Sequence, residues 1–143
     1  MLGNRCLTIS REISTRNIVR EDEIVEKIIF IETGVGVDTH GQDVTKAARR
    51  AVQNAIHSNS MPGIKDYLPG QSLDNMQVNI VLAIPADKDL LDHDAVKEEI
   101  PYGEVTVEVV DGGLATTSGI ILPEQDDKND LMYIVIAAVQ VGY

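Results

Sequence analysis

The sequence has no tryptophan, one phenylalanine (Phe30) and one cysteine (Cys6) in 143 residues. A single cysteine excludes an intramolecular disulfide and any paired-cysteine metal site, and a reducing cytoplasm is the compartment this predicts. With so few aromatics, the core has to be built from Ile, Val, Leu and Ala, which suits helices packed on a sheet. Basic residues are also scarce, with 12 Lys and Arg against 23 Asp and Glu, for a formal net charge of -11. A field of that sign repels polyanions, so neither nucleic acid nor an anionic membrane is an expected partner. No run of about 18 apolar residues occurs, so no membrane-spanning helix is predicted.

What is present is a folding composition, 43% hydrophobic and 24% charged, in a length that closes one core without a structural metal. Residues 1–25 read as an N-terminal arm or extension, and residues 26–143 as a single α/β domain. The first 19 residues carry Arg5, Arg11 and Arg16 with only Glu12 as an acid. That is the composition of an organellar presequence, but an ordered arm with Leu7 and Ile9 on one face of a strand is the expectation adopted.

Residues 26–33, EKIIFIET, form a short β-branched run that Gly34 is expected to end, and so predict a buried strand. Downstream, Val44, Ala47, Ala48, Ala51, Val52, Ala55 and Ile56 recur at helical spacing with a small-residue face that allows close approach to a sheet. Residues 59–71 contain two Pro-Gly pairs and read as loop. A second strand is predicted over residues 76–84, a short helix over 93–99 with Asp92 as its N-cap, and a third strand over 104–110. After a turn at Asp111-Gly112-Gly113, a further short strand is placed at 119–122, and residues 124–130, EQDDKND, read as a solvated loop. A long last strand covers 131–141.

The order β-α-β-α-β-β predicts an α+β two-layer sandwich, a mixed four-stranded sheet with two helices on one face. The first two strands are expected to pair in parallel, and the final two antiparallel. This order is the core of the chorismate mutase-like fold; the ferredoxin-like order, β-α-β-β-α-β, is the alternative. Two helices leave one face of such a sheet poorly covered, so a homo-oligomer is expected, a trimer by fold analogy.

Residues 34–43, GVGVDTHGQD, combine three glycines, two carboxylates and one of only three histidines. A glycine-rich turn between a strand and a helix start suits an anion, because the backbone can approach a ligand and the helix terminus offers unpaired N–H groups. The Walker A pattern is absent, since no Lys-Ser/Thr follows, and Thr39 breaks the dinucleotide fingerprint at its third glycine. Asp38 and His40 remain: a carboxylate beside an imidazole holds one tautomer, as a general acid or base requires. Asp43, or Thr39 with Gln42 in a capping box, is read first as a helix cap. The other histidines, His57 and His93, belong to no metal-binding spacing, and no metal or cofactor is predicted.

GVGVDTHG resembles, position for position, the GxGxDxHG signature of a small family of conserved hypothetical proteins, found mainly in Firmicutes, with scattered members in other bacteria and longer ones in plants. The resemblance runs from about residue 27 to the closing VGY, and PYG at 101–103 and DGGL at 111–114 look like further family features. It implies that Gly34, Gly36, Asp38, His40 and Gly41 are signature positions, and it implies no activity, because none is assigned to the family.

Two functions follow as expectations. In the first, the chain is a small-metabolite enzyme acting on a polar or anionic molecule, with His40 as acid or base, Asp38 as its orienting partner, and Gly34, Gly36, Gly41, Gln42 and Asp43 around the ligand. No GxSxG nucleophile is in view, which favours proton transfer over acyl-enzyme routes. In the second, the same turn serves a non-catalytic ligand-binding or structural oligomeric module, and its polar groups are satisfied within the protein.

Overall fold

The computed structural model describes residues 25–143. Apart from Val25, which is buried, the expected N-terminal arm lies outside the described residues. Strand β1 (Ile28–Asp38) leads into helix α1 (Val44–His57), and a single turn of helix, α2 (Ile64–Tyr67), lies inside the stretch expected to be loop. Strand β2 (Gln77–Ile84), helix α3 (His93–Lys97), β3 (Glu104–Asp111), β4 (Leu114–Thr117) and β5 (Leu131–Gly142) complete the chain. The fold is α+β with a mixed sheet, as the element order predicts.

Three details of the expectation are corrected. Among the described residues the sheet has five strands, in the order β1-β5-β2-β3 with β4 also paired to β5. The first two strands do not pair, because β5 lies antiparallel between them; the parallel pair is β2 with β3. The short additional strand is β4 at Leu114–Thr117, not residues 119–122, because β4 occupies the stretch of β5 from Leu131 to Ile134, just beyond the part paired with β2.

A fourth correction concerns the first strand, which does not stop at Gly34 but continues to Asp38. Gly34 and Gly36 are both buried on its helix side. A Cβ on Gly34 would sit 2.3 Å from the Ala51 carbonyl oxygen, and one on Gly36 would sit 2.1 Å from that of Ala47. The glycines therefore let a helix backbone lie directly on a strand, a use that needs no left-handed conformation. The match is periodic: two residues along a strand and four along a helix both advance about 6 Å. Ala47, Ala48, Ala51 and Ala55 face them, all fully buried.

Alternation sets the rest of the core. On β2, Val78, Ile80, Leu82 and Ile84 point to the helices, and on β5 Tyr133, Val135, Ala137, Val139 and Val141 do the same. Helix α3 packs beside α1 on this side, with Val96 buried. Among the described residues, neither α1 nor α3 lies on the opposite face of the sheet. The free edge of β1 is capped instead by α1 side chains: Asn54 accepts from the Val35 N–H at 2.9 Å, and Arg50 donates to the Val37 carbonyl at 2.6 Å. Blocking an edge in this way removes a template for further strand pairing.

Candidate functional site

β1, β2 and β3 run in one direction, so their carboxyl ends gather at one end of the sheet, where sites in α/β sheets are commonly built. Asp38 ends β1 there, and residues 39–43 turn the chain into α1. Two consecutive residues in this turn take positive φ: Gly41 at 98° and Gln42 at 50°. The second is unusual for a residue with a side chain. Asp43 is the N-cap, as expected: it has extended backbone geometry and accepts from the Lys46 N–H at 3.0 Å.

Asp38 is 1% exposed. One carboxylate oxygen accepts from the Asp43 N–H at 2.9 Å, and the other faces Lys46 Nζ at 3.2 Å and an Arg50 guanidinium nitrogen at 3.7 Å. None of these contacts is to His40. Asp38 braces the first turns of α1 against β1, and the carboxylate bonded to His40 is a different one, so the assignment of Asp38 as the orienting partner is corrected.

That partner is Asp127, in the acidic stretch expected to be a solvated loop. His40 Nδ1 lies 2.8 Å from Asp127 Oδ2, and the Asp127 side chain is fully buried. The same carboxylate accepts from the backbone N–H of Leu122 at 2.8 Å, from that of Gly41 at 2.7 Å and from the Gln42 amide at 3.1 Å. The Leu122 bond leads, and the Gly41, His40 and Gln42 bonds add to it, in holding the Asp127 carboxyl well below the usual carboxylate range against the opposing effect of burial. Gln42 completes the clamp: its amide donates to the Leu131 carbonyl at 2.7 Å and its oxygen accepts from the Lys128 N–H at 2.9 Å. Nothing in the sequence singles out Asp127 from Asp126 or Asp130.

The expected backbone cradle does not form. Gly34 and Gly36 lie in the ladder under α1, and the Gly41 N–H is taken by Asp127. Gly41 still needs to be small, since a Cβ there would meet the Gln125 carbonyl at 3.1 Å on a backbone of positive φ. His40 keeps one open group. Its ring is 17% exposed, and Nε2 has no hydrogen-bond partner among the described residues. An ionised Asp127 accepts the Nδ1 proton, and in that tautomer of the neutral ring the lone pair lies on Nε2.

Near the same end of the sheet, Tyr133, the register partner of Asp38 on β5, donates to Asp87 Oδ2 at 2.6 Å. Burial and the Asp87 carboxylate push its hydroxyl up to about 12. The Gly112-Gly113 turn is there too, pressed on the ends of β2 and β5: a Cβ on Gly113 would meet the Ile134 carbonyl at 2.3 Å. Tyr102 and Gly103 precede β3 and so lie at the other end of the sheet. A shallow recess on the outer side of α1 is lined by Asp43, Thr45, Lys46, Arg49, Arg50 and Gln53. Its cations are already matched, Lys46 and Arg50 by Asp38 and Arg49 by Glu99. Among the described residues no cluster of three metal-ligating side chains occurs, and no helix is long and apolar enough to cross a membrane.

Comparison with known proteins bears on this geometry. The profile of the conserved hypothetical protein family Lin0512_fam matches residues 28–141. The chain belongs to that family. Among solved structures, this Lin0512_fam member is similar to a crystal structure from Nostoc punctiforme PCC 73102 described as an FtsZ-like protein of unknown function. The two are 38% identical with a TM-score of 0.74, over 82% of this chain and 96% of that one. No protein of curated function matches the sequence.

Proposed function

We propose that this Lin0512_fam chain is a small-metabolite enzyme that moves a proton through His40, with Asp127 in the orienting role. The observation that carries this reading is the asymmetry of the imidazole: Nδ1 is held at 2.8 Å by a fully buried carboxylate, while Nε2 has no hydrogen-bond partner among the described residues. A buried carboxylate that stays ionised fixes the tautomer, orients the ring and stabilises the imidazolium formed when Nε2 takes a proton. Isomerase, lyase or hydrolase chemistry on a polar or anionic substrate fits a base with no nucleophilic side chain hydrogen-bonded to it among the described residues.

The non-catalytic reading keeps one specific support. Asp38 is satisfied wholly within the protein, and the Asp127 bonds also pin residues 122–131 to the 39–43 turn. The two readings separate in thermal unfolding of the wild type and His40→Ala against a panel of polar and anionic metabolites, because a ligand of the folded state raises the midpoint. On the enzyme reading, His40→Ala keeps its secondary structure and loses the stabilisation that a ligand gives the wild type. A flat wild-type panel together with a markedly lowered His40→Ala midpoint refutes it and assigns the histidine to the clamp.

A further inference from the structure

We infer that the face of the sheet away from α1 and α3 is a self-association surface, covered in solution by further copies of this chain. Both α1 and α3 lie on the other face, so the open side is formed by alternate residues of all five strands. One row across it is Val35, Ile136, Ala83 and Val110, in register from β1 through β5 and β2 to β3. The next row is Val37, Ile134 and Leu114, where β4 succeeds β2. Val35 is 51% exposed, Ile136 46% and Leu114 53%, values that leave branched side chains half in water across one continuous patch. Scattered apolar residues on a surface are ordinary, but a contiguous sheet face of them marks an interaction site.

Area and charge identify the occupant. Four strand columns about 4.8 Å apart and ten residues of about 3.4 Å give a face of roughly 650 Å². Two such faces bury about 1,300 Å² together, within the roughly 1,200–2,000 Å² of stable interfaces. The chain carries a net charge of -11, yet across the rows from Ile31 to Leu114 the only ionisable side chain is Glu108, which approaches the Asn79 amide. A foreign partner selected by charge has almost nothing to read there. A second copy meets little like-charge repulsion, because Glu108 is the one acidic group in these rows. Sheets of this kind pack face to face at about 10 Å, with interdigitating branched side chains.

Ile136 sits on the inner strand β5 in the central apolar row, where an introduced carboxylate is buried by any copy that covers the face. The test is the mass of the full chain by sedimentation equilibrium across the micromolar range, for the wild type, Ile136→Glu, Val35→Glu and the control Ile121→Glu. Ile121 is equally exposed, at 52%, but lies in the loop after β4. The wild type and Ile121→Glu are expected at two or three times the 15.6 kDa chain mass. Ile136→Glu and Val35→Glu are expected at the single-chain mass, with an association constant reduced at least about 100-fold and an unchanged far-UV spectrum. A wild type monomeric throughout, or an oligomer indifferent to both open-face substitutions, overturns the inference and leaves the face to a different occupant.

Discussion

Gly36→Ala separates a packing glycine from a ligand-cradling one. At an unstrained position, replacing glycine by alanine stabilises a protein by about 0.4–1 kcal/mol, through the unfolded chain. Gly36 has no positive φ, so nothing in its own backbone opposes the change. The obstacle is the helix: the new methyl falls 2.1 Å from the Ala47 oxygen and 2.2 Å from the Ala51 nitrogen, where ordinary contact begins at 3.4 Å. Both are backbone atoms and cannot rotate away, so α1 has to retreat by more than about 1 Å. A gap of that size forfeits a quarter to a half of each dispersion contact along the seam.

The seam is long, since Ala47, Ala48, Ala51, Val52 and Ala55 are all fully buried along it. Overpacking ordinarily costs about 1–3 kcal/mol, and a clash with main chain belongs at the upper end, so a net loss of about 3 kcal/mol is expected. With a urea slope near 2 kcal/mol/M, the midpoint falls by about 1.5 M. Ala47→Gly in the same background is expected not to restore it, because the obstacle is a carbonyl and not a methyl. A Gly36→Ala protein within about 0.5 kcal/mol of wild type refutes the seating of α1 on β1. If the glycine instead cradled a ligand, the substitution would abolish binding and leave the urea midpoint alone.

Two pH dependences follow from the site. The Asp127 carboxyl is held low in the folded state, so it contributes stability above the ordinary carboxylate range that is lost as pH falls; urea midpoints should decline from about pH 4 downward in the wild type and more gently in Asp127→Asn. Equal acid limbs in the two proteins would show that the four bonds to Asp127 do not favour its ionised form. Tyr133 has the opposite sign, since a phenol pushed up to about 12 keeps its proton longer in the folded state. Stability should therefore fall between about pH 10 and pH 12, and Tyr133→Phe should lose that dependence, which absorbance of the phenolate and unfolding midpoints both report.

Much of the fold was legible because its signals are local. The alanine face of α1, its Asp43 cap, and the alternation in β3 are properties of neighbouring residues, and they survive in the structure. The 34–36 segment was misread because glycine looks the same in a sequence whether it supplies a turn or admits a neighbouring backbone. The correcting signal was nonetheless present: two glycines at strand spacing and Ala47, Ala51 and Ala55 at helical spacing are complementary, and reading them as a pair extends β1 to Asp38. Residues 119–122 misled through β-branched content, yet Gly119 has a φ of 86° and Pro123 begins a tight turn. Asp127 was not legible at all, since its role depends on a chain reversal that places it against a turn more than 80 residues earlier.

The motif thus divides its labour in a way that limits what it says about function. Gly34 and Gly36 serve the helix seam, Asp38 braces the helix start, and Gly41 with Gln42 shapes the turn that receives Asp127. Each of these positions is restricted for reasons of packing or hydrogen bonding, whether or not a reaction occurs. His40 is the exception. A turn that needed only to be fastened to the 122–131 loop already has the Gly41 N–H and both ends of the Gln42 amide for that purpose. An imidazole adds one more bond to the same carboxylate, at the cost of a second nitrogen left without a hydrogen-bond partner among the described residues. The chemical reading of the site therefore rests on that nitrogen, and not on the glycines that first draw the eye to the sequence.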